Sequence, residues 1–373
     1  GLSRDSAESV SAWHRKQYVK ASKTLAKKLK RRGLAGDSDA GGPVSCTSPS
    51  QDGSDGLLTL SQGEELRVQI HRAQLAKLRA LSMGAGGGGS ADETQFLLAT
   101  LCLLVRYQAL GGGGFQCAIP PPVFTCLEEL WGIKCEGFAS PLNCRLSAGQ
   151  YCSAFPDTDT HFGSLGSFFK LSASDAMKHE AFELNPPFSL EIYSSLLTHC
   201  HALLAAAEQH KKPLSFAIIV GATQPALAHD ALRAYSRSPY LTGQLVVGVG
   251  EHVYLCGGAR DDFETATFRA CDTGVYFLQS TAAAEQNPTT PQKLEDLANA
   301  FRKTNGAEKK RSNSSQGSKI PSQNSCHNKH KTHKTKKTLR SPSESGSNHN
   351  DTPPKRSKHM KASRRALLIT GME

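Results

Sequence analysis

No apolar run in this 373-residue chain approaches the ~20 residues that a helix needs to cross a bilayer. A protein with transmembrane helices is excluded on that ground, and no membrane partner is expected. A secretory signal is missing too, because nothing near the start offers an apolar h-region behind basic residues. The first residue is Gly and not Met, so the start reads as that of a fragment or a processed chain. Hydrophobic residues supply only 38% of the chain, which leaves part of it outside any core. No Cys-x-x-Cys pair occurs among the eleven cysteines. Cys117, Cys126, Cys135 and Cys144 fall nine apart, a spacing foreign to zinc sites. Free thiols packed as small hydrophobes in a reducing compartment are expected instead.

What is present is a basic balance, unevenly placed. Lys and Arg number 44 against 33 acids, a net charge of +11. The stretch Arg302 to Arg365 alone holds 18 Lys/Arg and 3 acids, and His14 to Arg32 holds 9 Lys/Arg and none. The middle is therefore acidic and the ends are basic. The tail is rich in Ser, Asn, Lys and His, and it lacks the apolar area that would offset chain entropy. It is expected to be disordered. Lys309-Lys310-Arg311 and Pro354 to Lys358 have the look of nuclear-import or phosphate-binding patches, or of a tail that only keeps the chain soluble. Cys326, His327, His330 and His333 could grip a metal, but a His-rich composition accounts for them equally well, and no metal site is assigned.

The length suits one large domain or two small ones, at roughly 100–200 residues each. Hydrophobic period and Gly-rich breaks divide the chain into a basic helical segment (1–32), a linker (33–56), a helical domain (57–114), an α/β domain (115–301) and the tail (302–373). Within the helical domain, Leu66, Ile70, Leu75 and Leu78 predict a helix over Glu64 to Leu81. Asp92 predicts the N-cap of an apolar helix from Thr94 to Leu110. Beyond Gly114, strands and helices alternate. Strands are expected at Ile133–Ala139, Phe182–Leu184, Leu214–Val220, Gln244–Val249, Val253–Cys256 and Val275–Gln279. Helices are expected at Pro120–Leu130, Ser189–His210, Pro225–Tyr235 and Pro291–Phe301. This alternation implies a mainly parallel sheet.

Asn185-Pro186-Pro187-Phe188 is the sharpest local feature. Two prolines after a strand cannot continue its ladder, and they fix a rigid turn at the edge where α/β sheets present ligands. Such a turn can aim the Asn185 amide oxygen and the Pro186 carbonyl at one exocyclic amine, with Phe188 stacked on the base. That arrangement suits methylation of an adenine amino group by S-adenosylmethionine, a reaction in which alignment and electrostatics carry most of the catalysis. A plain strand-ending turn is the simpler alternative. Ala139-Ser140-Pro141-Leu142-Asn143 follows the first strand of the α/β domain, where a methyltransferase cradles its cofactor, although the usual Gly-x-Gly is absent. Asp157 and Asp159 could accept hydrogen bonds from the cofactor's ribose or ammonium, or could simply shape a turn.

Several longer stretches lend these residues a context: Glu136 to Asn143, Gln150 to Asp159, Phe162-Gly163-Ser164 and Asn185 to Phe188. With Phe115-Gln116, Glu251-His252-x-Tyr254 and Phe277-Leu278-Gln279, they make the region from Glu64 to Phe301 resemble the phosphorylated CTD-interacting factor family of cap-specific adenosine N6-methyltransferases. The resemblance implies a Rossmann-like class I methyltransferase domain behind a helical domain, with S-adenosyl-L-methionine as cofactor. It implies N6-methylation of the cap-adjacent 2′-O-methyladenosine of mRNA in the nucleus. Asn185, Pro186, Pro187 and Phe188 become the catalytic set, and Ala139, Ser140, Pro141, Leu142, Asn143, Asp157, Asp159 and Gln116 the cofactor-binding set. Capped RNA is the implied partner. A phosphorylated RNA polymerase II tail is a doubtful one, because Trp13 and Trp131 stand too far apart to build a WW domain. Gly221-Ala222-Thr223 also replaces the Pro-Glu-Trp expected after the strand Leu214–Val220. Two rival readings stay open: an adenine N6-methyltransferase acting on internal RNA or DNA, and a catalytically silent cap- or RNA-binding protein.

Overall fold

The computed structural model describes residues 23, 24, 27, 43–47, 56–63, 66–84, 92–109, 116–145, 150–222, 230–261, 266–269 and 271–314, with side chains as far as 303. Most of His14–Arg32 and the tail beyond Ser314, including Pro354 to Lys358 and Cys326 to His333, lie outside the described residues, whereas Lys309–Arg311 has a helical backbone.

The region before the α/β domain is not wholly helical. Strands β1 (Ser45–Thr47), β2 (Leu57–Gln62) and β3 (Leu66–His71) form an antiparallel sheet in the order β1-β2-β3. The helix expected over Glu64–Leu81 is thus a strand followed by helix α1 (Arg72–Gly84). Leu66 and Ile70 satisfy a period of two as well as they satisfy helical spacing. The buried, β-branched Val68 between them settles the matter in favour of a strand. Part of the expected linker is strand β1, anchored by buried Val44 and by Ser45 Oγ, 2.8 Å from Ser61 Oγ. Helix α2 (Glu93–Gln108) starts where expected, with Asp92 accepting the Thr94 N–H at 2.9 Å. Every residue from Phe96 to Tyr107 is buried, as a helix apolar on all sides requires.

The α/β domain follows in alternation. It contains β4 (Cys117–Ala118), α3 (Pro121–Trp131), β5 (Cys135–Ala139), β6 (Gln150–Ser153), α4 (Pro156–Asp159), α5 (Ala173–His179), β7 (Ala181–Leu184) and α6 (Leu190–His210). Then come β8 (Ser215–Gly221), α7 (Asp230–Ser236), β9 (Leu241–Val247), β10 (Tyr254–Cys256), β11 (Thr267–Phe268), β12 (Thr273–Gln279), α8 (Thr281–Gln286) and α9 (Pro291–Ser314). The last helix therefore runs well past the expected end at Phe301. The main sheet has the order β6-β5-β7-β8-β12-β9. Its β6-β5, β5-β7 and β7-β8 pairs are parallel, and β12 is antiparallel to both of its neighbours. Five strands therefore share one direction and β12 alone is reversed. Strand β8, buried at every residue, is covered on both faces as its unbroken apolar sequence demands. Phe168, Phe182, Leu196, Leu203, Phe216 and Tyr235 fill one face. On the other face Trp131 stacks on Phe277 with ring centroids 4.4 Å apart, among Phe124, Ile219, Leu297 and Phe301. A second small sheet has the order β11-β10-β4, with β4 starting directly after Gln116. Among the described residues no helix is long and apolar enough to cross a membrane.

Candidate active site

Strands β5 and β7 are direct parallel neighbours, with Glu136 opposite Glu183. Their carboxyl ends deliver the two segments singled out in the sequence, Ala139–Asn143 and Asn185–Phe188, to the same edge of the sheet. This is the edge where open α/β sheets bind ligands.

After β7, the prolines end the ladder as their chemistry requires. Asn185 is half-buried, and among the described residues its amide has no hydrogen-bond partner. The Pro187 carbonyl accepts the Ser189 N–H at 2.7 Å, leading into α6. Phe188 remains 42% exposed. Its ring lies against the backbone of Gly221 at the end of β8, where an added Cβ would stand 2.7 Å from Phe188 Cδ2 and 3.0 Å from Cys271 Sγ. Only a glycine permits that approach. The Gly221 N–H donates to Tyr193 Oη at 3.0 Å, and Tyr235 Oη donates to the Tyr193 carbonyl at 2.7 Å. The edge of the Phe188 ring meets Tyr254 with centroids 6.0 Å apart.

Tyr254 is held in turn by a buried relay. Tyr254 Oη lies 2.6 Å from Thr273 Oγ1, which lies 2.8 Å from His252 Nε2. His252 Nδ1 is 2.9 Å from the Gly248 carbonyl. A carbonyl can only accept, so Nδ1 carries the proton. In the neutral imidazole Nε2 then accepts from Thr273, and Thr273 accepts from Tyr254. Burial holds the His252 pKa below its ordinary value, which keeps the ring neutral.

The loop after β5 is locked by its own side chains. Asn143 Oδ1 accepts the Ser140 N–H at 2.7 Å, and the Ser140 hydroxyl donates to Gln116 Oε1 at 2.5 Å. The structure thus brings Gln116, Ser140 and Asn143 together. Gly257 packs against this knot so closely that a Cβ would be 2.4 Å from Asn143 Cβ. Helix α1 closes the loop from outside. Gln74 Nε2 donates to the carbonyls of Leu142, Gly257 and Gly258 at 3.1, 3.2 and 3.1 Å, and Lys77 Nζ donates to Leu142 O at 2.9 Å. Gln74 is fully buried, and its Oε1 has no partner among the described residues.

Asp157 and Asp159 are engaged elsewhere. Arg106 grips Asp157 through both oxygens at 2.9 and 2.7 Å, while Tyr107 Oη donates to buried Asp159 at 2.6 Å. Both carboxylates tie α4 to α2, and either would meet a cofactor only by exchanging these partners. Burial pushes the Asp159 carboxyl up to about 6. Glu183 is also pushed well up, by burial and then by Glu136 beside it. Glu136 Oε1 accepts the Arg145 N–H at 2.6 Å. Gln74, Lys77, Gly257 and Thr273 escaped the sequence reading, which met Gly221 only as a departure from an expected Pro-Glu-Trp and His252 and Tyr254 only as members of a motif, without their contacts. Within it, only the helical phase of Gln74 and Lys77 beside Leu75 and Leu78 hinted that they share a side of α1.

A six-stranded sheet with a single reversed strand, bearing the Ala139–Asn143 loop after β5 and an Asn-Pro-Pro-Phe turn after β7, defines a Rossmann-like class I methyltransferase fold. A family profile described as the phosphorylated CTD interacting factor 1 WW domain matches residues 77–257. The chain is 36% identical over 248 residues to the mRNA (2′-O-methyladenosine-N(6)-)-methyltransferase of Homo sapiens, covering 64% of this chain and 33% of the relative. The protein of the same name from Mus musculus matches with the same identity and coverage. Over this central region the chain is similar to the phosphorylated CTD-interacting factor family, and it spans about a third of the length of these curated relatives. The matched residues include Trp131 as a core residue of the α/β domain, and Trp13 lies outside the described residues.

Proposed function

We propose that this chain transfers a methyl group from S-adenosylmethionine to N6 of the 2′-O-methyladenosine beside the cap of mRNA, the activity in the names of its human and mouse relatives. The observation that carries the reading is the unpartnered Asn185 amide, standing beside the Ala139–Asn143 loop on the neighbouring strand. The residues present suit the cofactor. Ala139, Ser140, Pro141, Leu142 and Asn143 with Gln116 would hold it, and the lone acceptor Gln74 Oε1 suits a molecule rich in N–H and O–H donors. S-adenosylmethionine supplies an electrophilic methyl group when bound.

Every other element of the mechanism belongs to the chain. Asn185 Oδ1 and the Pro186 carbonyl accept the two amine hydrogens and turn the nitrogen lone pair toward the cofactor loop. Phe188 stacks on the adenine, and Gly221, Tyr193 and Tyr254 fix the place of its ring. As the new N–C bond forms, the nitrogen sheds one proton to solvent at this open edge. No strong base is needed, since positioning and electrostatics supply the acceleration. The basic ends of the chain favour RNA as the partner, and Lys309–Arg311 with Pro354–Lys358 favour the nucleus.

The test is methyl transfer to a short capped RNA and to its uncapped twin, with the product nucleoside identified by mass spectrometry. N6,2′-O-dimethyladenosine from the capped RNA alone is expected. Asn185→Ala should lower the rate ~10²–10³-fold with the fold intact by circular dichroism. Equal methylation of both RNAs would favour the internal-adenine reading, and Asn185→Ala activity within threefold of wild type would remove Asn185 from its role.

A further inference from the structure

The small sheet beside the active site sets two cysteines face to face. Cys117 on β4 is the direct partner of Cys256 on β10. The adjoining Gly257 N–H donates to the Gln116 carbonyl at 2.8 Å, while Cys256 turns its own N–H to Ala266 on the β11 side at 2.9 Å. Cys117 and Cys256 therefore form a non-hydrogen-bonded pair, the kind in which opposed Cα atoms lie about 4.5 Å apart and side chains come closest. Disulfides accept Cα separations from about 4.4 Å upward. Both thiols are free and half-buried, so a small oxidant can reach them. Cys135 and Cys152 also touch, but both are fully buried.

We infer that Cys117 and Cys256 are an oxidative modification site, a dithiol that closes to a disulfide under a two-electron oxidant of the hydroperoxide class and thereby loosens the cofactor loop. The second half of this inference rests on the loop reading above. Cys256 faces Cys117 directly across the strand pair, and this neighbour draws the Cys256 thiol below its ordinary pKa, which favours it as the nucleophile. The Cys256 thiolate attacks one peroxide oxygen and the O–O bond breaks. The sulfur becomes a sulfenic acid, and the departing hydroxide takes a proton to leave as water. The Cys117 sulfur then attacks the Cys256 sulfur and the S–O bond breaks. The second hydroxide takes the Cys117 proton. Two thiols are oxidised, one peroxide is reduced, and two waters result.

Closure reaches the loop through the next residue on each strand. Gln116 follows the movement of Cys117, and its Oε1 holds the Ser140 hydroxyl. Gly257 follows Cys256. It lies against Asn143 with no room to spare, and its carbonyl accepts from Gln74 Nε2 at 3.2 Å. The two sulfurs must approach to ~2.05 Å to bond, so both neighbours shift.

The test treats the 373-residue chain with hydrogen peroxide, blocks remaining thiols with N-ethylmaleimide and maps the peptides by mass spectrometry. A Cys117–Cys256 cross-linked peptide is expected, reversed by dithiothreitol, with Cys135 and Cys152 recovered as maleimide adducts. Calorimetry should show S-adenosylmethionine affinity falling at least fivefold on oxidation and returning on reduction. Cys256→Ser and Cys117→Ser should each abolish the oxidant's effect on affinity. Recovery of Cys117 and Cys256 as adducts, at peroxide doses that oxidise exposed Cys46, would overturn the site. A cross-link without loss of affinity would overturn its coupling to the loop. A reduced chain that forms the cross-link yet binds no cofactor would overturn the loop reading while leaving the dithiol standing.

Discussion

Gly221→Ala is the sharpest probe of how the base site is built. The new methyl carbon would stand 2.7 Å from Phe188 Cδ2, 3.1 Å from Phe188 Cγ and 3.0 Å from Cys271 Sγ. Carbon atoms rest at ~3.5–4.0 Å, so the ring must retreat by roughly 0.8–1.3 Å. Strand β8 cannot yield, being paired with β12 from Ser215 to Gly221 and with β7 from Ser215 to Ile218. Phe188 can yield, because 42% of it faces solvent. The loss of stability should therefore fall at or below the low end of the ~1–3 kcal/mol typical of overpacking. The loss of activity should be larger, since a misplacement of about 1 Å at a reacting centre costs ~10²-fold. The assay is initial-rate methylation of capped RNA, with cofactor affinity measured alongside and expected to hold. A double-mutant cycle completes the argument. Once Phe188→Ala has removed the ring, adding Gly221→Ala should cost less than threefold. Single-variant activity within threefold of wild type, or full additivity in the cycle, would refute the claim that Gly221 seats Phe188.

Phe188→Ala should weaken RNA binding by ~1–3 kcal/mol, the usual worth of base stacking, and leave cofactor binding in place, as titration calorimetry would report. Asp159 predicts a pH dependence. Its folded value near 6 lies above the ordinary 3.8, so the stability that it contributes is full below about pH 4 and is lost as pH rises through 6. That amounts to about 2–3 kcal/mol, and urea unfolding of wild type against Asp159→Asn should show this difference developing between pH 4 and 7. Parallel profiles would refute it. Because α9 runs to Ser314, removal of the tail should begin after that residue. Binding of long RNA should then lose salt dependence by ~0.7 in log–log slope for each phosphate contact removed, with methylation of short capped RNA unchanged.

The sequence carried the α/β half clearly because its signals are local and strong. Leu-Ser-Phe-Ala-Ile-Ile-Val admits few homes other than a covered strand, and two prolines after Phe-Glu-Leu can only end one. The N-terminal half failed where two periods coincide. Leu66 and Ile70 are four apart, which places them on one side of a helix and also on one face of a strand, and only Val68 breaks the tie. Strand β1 was hidden because its partner β2 lies across a Gly/Ser-rich stretch, and three residues carry no period of their own. The site divides in the same way. Asn185 to Phe188 and Ser140 to Asn143 are contiguous and readable. Gly221 under Phe188, and Gly257 against Asn143, are close approaches between segments far apart in the chain, and no spacing rule announces them. Asp157 and Asp159 were readable as acids but not as partners of Arg106 and Tyr107, some fifty residues earlier.

The cut between residues 114 and 115, drawn from glycine content, divides the chain but not the site. Leu142, in the Ala139–Asn143 loop, is buried in the same apolar cluster as Leu98, Leu101 and Tyr107 of α2. Its carbonyl is taken by Gln74 and Lys77 of α1. Phe162 enters the same cluster, and Arg106 and Tyr107 pin α4 beyond β6. A Rossmann-like domain that carries Gly-x-Gly after its first strand can fold that loop by backbone alone, because glycine turns freely. Here Ala-Ser-Pro-Leu-Asn stands in that place, and it is held from outside by the side chain of Gln116, the backbone of Gly257, and Gln74 and Lys77 of α1. The loss of glycine in the loop and the close docking of the N-terminal region are thus two sides of one arrangement. The shape of the Ala139–Asn143 loop is a property of both halves of the chain, and a perturbation of α1 at Gln74 reaches the same loop as one at Ser140 or Asn143.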